Sequence, residues 1–238
     1  NEKKNYQEFF FDVNSYQNLK KIPKVDFVII LSGLVGDPIC KKYPSLARKT
    51  NIEGIKNIIE YFQNQNIKKL IFISTCSNYG YIESSELAKE DHPLNPISEY
   101  AKAKIEIENY LLYKNKKNNF SPCILRFATA YGLSPRMRFD LTINHFTYEI
   151  LKKNKFDAFD INTYRPYCHT QDLTDSIIVT LNAKNVLTDH EVFNVGDNKL
   201  NYSKKQIIEE IEKNFGKGNI FYKENGSDAR NYRVCFDK

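Results

Sequence analysis

Thr75, Tyr100 and Lys104 are of the right types and spacing for proton transfer at a hydroxyl or carbonyl group. Tyr100 and Lys104 stand four apart, so on a helix they share a face, with the ammonium one turn beyond the phenol. A phenol with a pKa near ~10 is a poor base at neutral pH, and bringing it to ~7 takes about 4 kcal/mol of differential interaction. A neighbouring cation favours the phenolate and supplies part of that shift. A hydroxyl such as that of Thr75 could hold the substrate oxygen while Tyr100 removes or returns its proton.

The spacing alone is not selective. Tyr-x-x-x-Lys also occurs at Tyr16/Lys20, Tyr110/Lys114, Tyr113/Lys117 and Tyr148/Lys152, in a chain with 16 tyrosines, and there it reads as a solvated helix face. The elements around Tyr100 set it apart. Leu70-Ile71-Phe72-Ile73 reads as a buried strand that delivers Thr75, and Ser98-Glu99-Tyr100 opens a helix after a Pro-containing loop. Ser74-Thr75-x-x-x-Tyr79-Gly80 followed by Ser98-x-Tyr100-x-x-x-Lys104 resembles the extended short-chain dehydrogenase/reductases, specifically the NAD-dependent nucleotide-sugar epimerase/dehydratase family.

That resemblance implies an α/β, doubly wound parallel-sheet Rossmann-type fold with a smaller C-terminal substrate-binding region. Residues 1–132 would be a partial dinucleotide-binding core, and 133–238 mainly the substrate-binding region. Thr75, Tyr100 and Lys104 would be catalytic, with Tyr100 and Lys104 also touching the cofactor, Lys104 by tuning Tyr100 and holding the nicotinamide ribose.

Other segments extend the match. Phe9–Val13 reads as a short buried strand ending in an acid; by resemblance Asp12 holds the adenine amine and Val13 lines its pocket, while the alternative makes Asp12 a helix cap before Leu19. Val25–Leu31 is a near-continuous apolar run, the pattern of a parallel strand buried on both faces. Leu31, Ser32 and Gly33 match the family segment that lies against the cofactor pyrophosphate and ribose. Asn51-Ile52-Glu53-Gly54 resembles Asn-Val-x-Gly, which makes Asn51 a cofactor-side residue, on a helix whose apolar positions are Ile55, Ile58, Ile59 and Phe62. Glycine inside a helix costs about 1 kcal/mol relative to alanine, so Gly54 is expected to permit close packing.

Cys123–Gly132 resembles Leu-Arg-x-x-x-x-Tyr-Gly, which implies that Phe127 faces the nicotinamide and Thr129 the substrate. Arg136 and Arg138, near a turn, could grip phosphate through paired N–H donors or stand as surface charges. Arg165–Leu173 resembles Arg-Asp-Phe-x-His-Val-x-Asp, in which the arginine, here Arg165, reaches the substrate diphosphate; Pro166 departs from the pattern, and His169 is expected to be structural. The tail segment 226–232 implies nucleotide contacts by Asp228 and Arg230.

Across 238 residues the composition is 41% hydrophobic, with room for a core in one large or two small domains. The net charge of +6 comes from dispersed lysines. It favours an anionic substrate such as a nucleotide diphosphate sugar and gives no footprint for nucleic acid. Cys40, Cys76, Cys123, Cys168 and Cys235 include no Cys-x-x-Cys, so neither a disulfide framework nor a metal site is indicated, and His92 reads as a surface residue. There is no apolar run of ~20 residues and no visible signal peptide, which leads to an expectation of a cytoplasmic protein without membrane contact. By resemblance a homodimer would form through two helices, Lys41–Gln63 and Glu99–Tyr113.

The sequence contains no Gly-x-x-Gly-x-x-Gly loop. In the strand order 3-2-1-4-5-6, Phe9–Val13 matches strand 3 and Val25–Leu31 strand 4, which cannot be neighbours without the first strands. The chain is therefore expected to be a piece of a longer polypeptide, and residues 1–238 alone to bind NAD poorly. The expected activity is epimerisation through transient hydride transfer. Dehydratases carry an acid pair where this chain has Cys76 and Ser77. An NADPH-dependent keto-sugar reductase and a non-catalytic dinucleotide-binding remnant are the alternatives. NADP stays open beside NAD, because the residues that choose between them lie at the end of strand 2.

Overall fold

The apolar runs ending at Leu31 and Ile73 fold as adjacent parallel strands. The computed structural model describes residues 7–83, 85–114, 120–224, 226 and 229–238. In chain order the strands are β1 (Phe27–Ile30), β2 (Lys69–Thr75), β3 (Leu87–Ala88), β4 (Pro122–Phe127), β5 (Thr129–Tyr131), β6 (Lys155–Phe159), β7 (Tyr164–His169), β8 (Glu191–Val195), β9 (Asn201–Ser203), β10 (Asn219–Lys223) and β11 (Arg233–Val234). The helices are α1 (Tyr16–Leu19), α2 (Asp37–Lys42), α3 (Pro44–Arg48), α4 (Ile55–Gln63), α5 (Glu99–Asn109), α6 (Thr142–Lys152), α7 (Thr170–Asn182), α8 (Asn185–Thr188) and α9 (Lys204–Phe215).

The central sheet has the order β1-β2-β4-β8, parallel throughout. One face packs Val28, Ile30, Leu70, Phe72 and Ile124 against α4 and α5 through Ile55, Ile59, Phe62 and Ile107. On the other face Ile71, Ile73, Cys123 and Leu125 meet Ile177 and Leu181 of α7. Helices on both faces of a parallel sheet are the expected doubly wound α/β architecture. The sheet takes β8 from the far half of the chain, next to β4.

Two expectations are corrected at the outer edge. Phe9–Val13 forms no strand; the chain instead turns at Asp12, whose carbonyl accepts from the Ser15 amide at 3.0 Å, and enters α1. A strand needs a ladder partner, and no strand among the described residues lies beside this segment. β1 is buried on one face only: Phe27, Ile29 and Leu31 are exposed, because α7 lies over β2 and β4 and does not reach β1.

The remaining strands build the C-terminal region around a second core, in which Phe146 and Ile150 of α6 meet Ile207, Ile208 and Ile211 of α9 and Phe156 of β6. β7 runs antiparallel to β9 over Tyr164–Pro166 and then parallel to β5 over Tyr167–His169. Pro166, which has no N–H to donate, sits at that change of partner, so the missing donor falls where the ladder switches. The short pair β3–β11 brings the C-terminal tail against the loop after β2.

Candidate active site

Residue choices at two turns bring the key side chains together. Ser98 caps α5, its hydroxyl accepting from the Ala101 amide at 3.2 Å, which fixes Tyr100 in the first turn and Lys104 in the next. Thr75 ends β2 and caps the short 3-10 turn Cys76–Tyr79, its hydroxyl accepting from the Ser77 amide at 3.1 Å. Gly80 closes that turn at φ +68°, and a Cβ there would stand 1.7 Å from the Asn95 carbonyl oxygen. Only glycine allows this approach, which draws the loop leading to Ser98 against the strand end.

Lys104 links the two elements. Its ammonium donates to the Ile73 carbonyl at 2.7 Å, two residues before Thr75. It lies 4.5 Å from the Phe72 ring centroid and 5.6 Å from that of Tyr100. Burial pushes the Lys104 pKa down to about 8, against the opposing pull of Glu108. Tyr100 is half-buried at the mouth of this contact.

Beneath the constellation lies a polar network that sequence reasoning missed. Glu108 accepts from the Ser74 hydroxyl, from Asn78 Nδ2 at 2.8 Å, and from Arg126 through Nη2 at 2.7 Å and Nε at 3.2 Å. Arg126 also donates to the Tyr79 hydroxyl and the Glu90 carbonyl, each at 3.0 Å, and Tyr79 donates to Asn194 Oδ1 at 2.7 Å. The available signal was an acid four residues past Lys104, on the face that Tyr100 and Lys104 share, together with an arginine inside the run Cys123–Phe127.

On the cofactor side, Leu31 is exposed and Ser32 and Gly33 are half-buried in the loop after β1. Asn51 is buried in a π-helical stretch, Lys49–Gly54, and shapes that loop: Oδ1 accepts from the Leu34 amide at 2.6 Å and Nδ2 donates to the Leu34 carbonyl at 3.0 Å. Its amide is therefore committed to backbone. Gly54 has the expected packing reason, since a Cβ there would lie 2.9 Å from Asn14 Oδ1 and 3.3 Å from Val13 Cγ2. Asp12 is exposed and accepts from the Asn14 amide at 2.9 Å and from Asn14 Nδ2 at 2.7 Å, bonds that hold its carboxyl below the usual range. The N-cap of α1 is Ser15, so Asp12 stabilises a turn and caps no helix.

The arginines separate by position. Arg136 is exposed. Arg138 forks onto Asp140, with Nε to Oδ1 at 3.0 Å and Nη2 to Oδ2 at 2.5 Å. Its Nη2 comes within 3.8 Å of where a Gly36 Cβ would stand, and Tyr100 raises its pKa through charge, though less than the Asp140 bond does. Arg138 thus lies beside the loop after β1 and couples to Tyr100 through charge. Arg165, buried in β7, and Arg230 both act on the buried Tyr232; burial raises that phenol's pKa and the two cations oppose it. The Tyr232 hydroxyl lies 3.2 Å from Ser77 Oγ, so this pair of arginines borders the turn that Thr75 caps. Asp228 lies outside the described residues.

Phe127 is half-buried at the end of β4, packed between two apolar clusters, and Thr129 opens β5. His169 caps α7 by accepting from the Gln171 amide at 3.2 Å and meets the Tyr131 ring edge-on at 5.5 Å. His92 meets the Tyr79 ring edge-on at 6.2 Å. Among the described residues no group of three or more His, Cys, Asp or Glu is placed to hold a metal ion, and no helix is long and apolar enough to cross a membrane.

Comparison with known proteins bears on this site. The chain is 25% identical over 227 residues to a UDP-glucose 4-epimerase of Lactobacillus helveticus, covering 87% of this chain and 67% of that protein. It is 29% identical over 219 residues to a UDP-glucuronate 4-epimerase of Thermodesulfobacterium geofontis, covering 90% of this chain and 65% of that one. The chain thus spans about two thirds of these relatives' length. The solved UDP-glucose 4-epimerase of Thermotoga maritima with UDP-glucose shares the fold at a TM-score of 0.82 and 22% identity, over 95% of this chain and 74% of that one. The sequence profile of the NAD dependent epimerase/dehydratase family matches residues 3–196, a span that holds Thr75, Tyr100, Lys104 and the buried network under them, and the chain belongs to that family.

Proposed function

We propose that this chain carries the proton-transfer half of an NAD-dependent nucleotide-sugar epimerase. The observation that carries the reading is the Lys104 ammonium, bonded to the Ile73 carbonyl at 2.7 Å and 5.6 Å from the Tyr100 ring. That placement favours the phenolate of Tyr100 over the phenol. Tyr100 takes the proton of a sugar hydroxyl and later returns it, and Thr75 holds the same oxygen in line. Arg165 and Arg230, which both border Tyr232, favour the diphosphate of the substrate. Arg138, beside Gly36 of the loop after β1, adds a further cation for that negative charge.

NAD, when bound, supplies a reversible hydride acceptor. The residues that would hold it are Tyr100, Lys104 and the loop Leu31–Gly33, with Asn51 fixing that loop through Leu34. These fit one side of a dinucleotide. The sequence has no Gly-x-x-Gly-x-x-Gly turn for the pyrophosphate, so we assign weak NAD binding to residues 1–238 taken alone. Water elimination is disfavoured: Cys76 is buried and donates to the Arg126 carbonyl at 3.2 Å, and Ser77 contacts Tyr232 at 3.2 Å, so no carboxylate stands at either position.

The test is C4 epimerisation of UDP-glucose at millimolar NAD, followed by proton NMR, for this chain and its Tyr100→Phe variant. Loss of turnover by roughly 100-fold or more is expected for a general acid/base. Equal turnover in the two proteins refutes the role of Tyr100. Calorimetric titration with NAD is expected to give weak binding, and tight stoichiometric binding overturns the one-sided cradle.

A further inference from the structure

α5 presents three ionisable groups one turn apart, Tyr100, Lys104 and Glu108, and the proposed chemistry uses the first two. Glu108 is 1% exposed. Its partners are Ser74 Oγ, Asn78 Nδ2 and Arg126 Nε and Nη2. All of them donate, the pattern that suits an ionised carboxylate, which can only accept. They also come from the elements that carry the other site residues. Ser74 precedes Thr75 on β2, Asn78 lies in the turn that Thr75 caps, and Arg126 precedes Phe127 on β4.

We propose that Glu108 is a positioning residue for Tyr100, Lys104 and Thr75: its buried carboxylate locks the helix to the strand end and turn, and its charge keeps Lys104 an ammonium beside Tyr100. The importance of this for catalysis rests on the reading of the site given above; the placement and the charge effect do not. An ammonium taken out of water is disfavoured unless an opposite charge offsets the loss. Lys104 is 7% exposed and faces neutral groups on two sides, the Phe72 ring and Ile73 carbonyl of β2 and the Tyr100 ring of α5. The carboxylate of Glu108 is the anion that raises its proton affinity against burial.

The other charges nearby are accounted for. Arg126 lies behind Glu108, and Arg138 couples to Tyr100 from the turn before α6 while paired with Asp140. Lys56 and Arg48 pair with Glu106, at 2.7 Å and 3.9 Å, on a neighbouring face of α5. Glu108 makes no direct hydrogen bond to Lys104 among those described, so it acts through its field across a buried interior, where charge reaches further than in bulk water.

The experiment is an NMR titration of the 238-residue chain labelled with ε-13C lysine, the Lys104 signal being assigned by its loss in Lys104→Met. No cofactor or sugar is needed, so failure of the epimerase reading and failure of this proposal are distinguishable. The wild-type midpoint is expected at about 8. Glu108→Gln is expected to lower it by roughly one pH unit or more. Ser74→Ala, which removes a hydrogen bond to the carboxylate and leaves its charge, is expected to leave the midpoint in place. Where Glu108→Gln fails to fold because Arg126 is left without its partner, Glu108→Gln/Arg126→Gln removes both charges, and a smaller downward shift is expected, because the more distant Arg126 cation no longer opposes the Lys104 ammonium. A Lys104 midpoint that stays at the wild-type value in either variant, with cooperative unfolding retained, overturns the proposal.

Discussion

The Lys104 ammonium donates to the Ile73 carbonyl at 2.7 Å, so one side chain both neighbours the Tyr100 ring and ties its helix to the strand that ends in Thr75. The site is therefore held together by a group that the interior tolerates poorly. Burial lowers its pKa from 10.5 to about 8, with Glu108 opposing.

That cost has a sign. Between about pH 8 and 10.5 the unfolded chain binds more protons at Lys104 than the folded one, so the stability contribution improves as pH rises through this window. Below it the full penalty applies, on the order of 3 kcal/mol. Lys104→Met is expected to be more stable than wild type at pH 7 and to lose that advantage toward pH 10.5. Urea unfolding of both proteins across this range checks it, and a pH-independent difference between them contradicts it.

Arg126 and Glu108 form a buried pair, at 5% and 2% side-chain exposure. Removing one partner strands the other in the interior. Arg126→Met should cost about 3–5 kcal/mol, while Glu108→Leu/Arg126→Met should recover much of that loss. A double-mutant cycle by denaturant titration reads the coupling, and additive losses would show that the pair is not a unit.

Gly80→Ala meets two obstacles, φ +68° and a Cβ placed 1.7 Å from the Asn95 carbonyl oxygen. The obstructing atom is backbone and cannot rotate away, so a loss of about 2 kcal/mol or more is expected. Gly216→Ala is the control: φ is +89°, but nothing lies within 4 Å of the added Cβ, so only the backbone strain of about 1 kcal/mol applies. Comparable thermal midpoints for the two variants would refute the steric account.

Asn51→Ala removes both bonds to the Leu34 backbone. Each partner left unsatisfied costs about 1–3 kcal/mol if it stays buried, so the loop is expected to open locally. Amide exchange at Leu34 should accelerate by at least tenfold, and unchanged protection would show that the loop is held by other means.

What could be read from the sequence was what is local along the chain. Tyr100 and Lys104 share a helix face by spacing alone, Thr75 follows an apolar run, and Ser98 opens α5, each within a few residues. Illegible were relations between distant segments. Glu108 meets Ser74 across 34 positions and Tyr79 meets Asn194 across 115, and no periodicity encodes such a meeting. The β6–β10 pair joins segments 64 positions apart at Lys155 and Asn219, and Phe9–Val13 has the composition of a strand but no ladder partner among the described residues. Lys69 carries no local signal of burial, yet it is 1% exposed and donates to the Thr180 and Ala183 carbonyls at 2.6 and 2.7 Å, closing the end of α7.

The outer side of β1 has a consequence for the chain in solution. Among the described residues β1 ends the four-stranded sheet, and Phe27, Ile29 and Leu31 are exposed on its outer side, with Phe10 of the preceding segment 91% exposed. Unpaired backbone groups beside such a greasy strip form a template on which another copy can stack, and one lysine near Phe27, Lys68 at 6.0 Å, is a thin electrostatic guard. For the 238-residue chain taken alone, this strip is expected to give light scattering that grows with concentration and that falls when Ile29 is replaced by lysine.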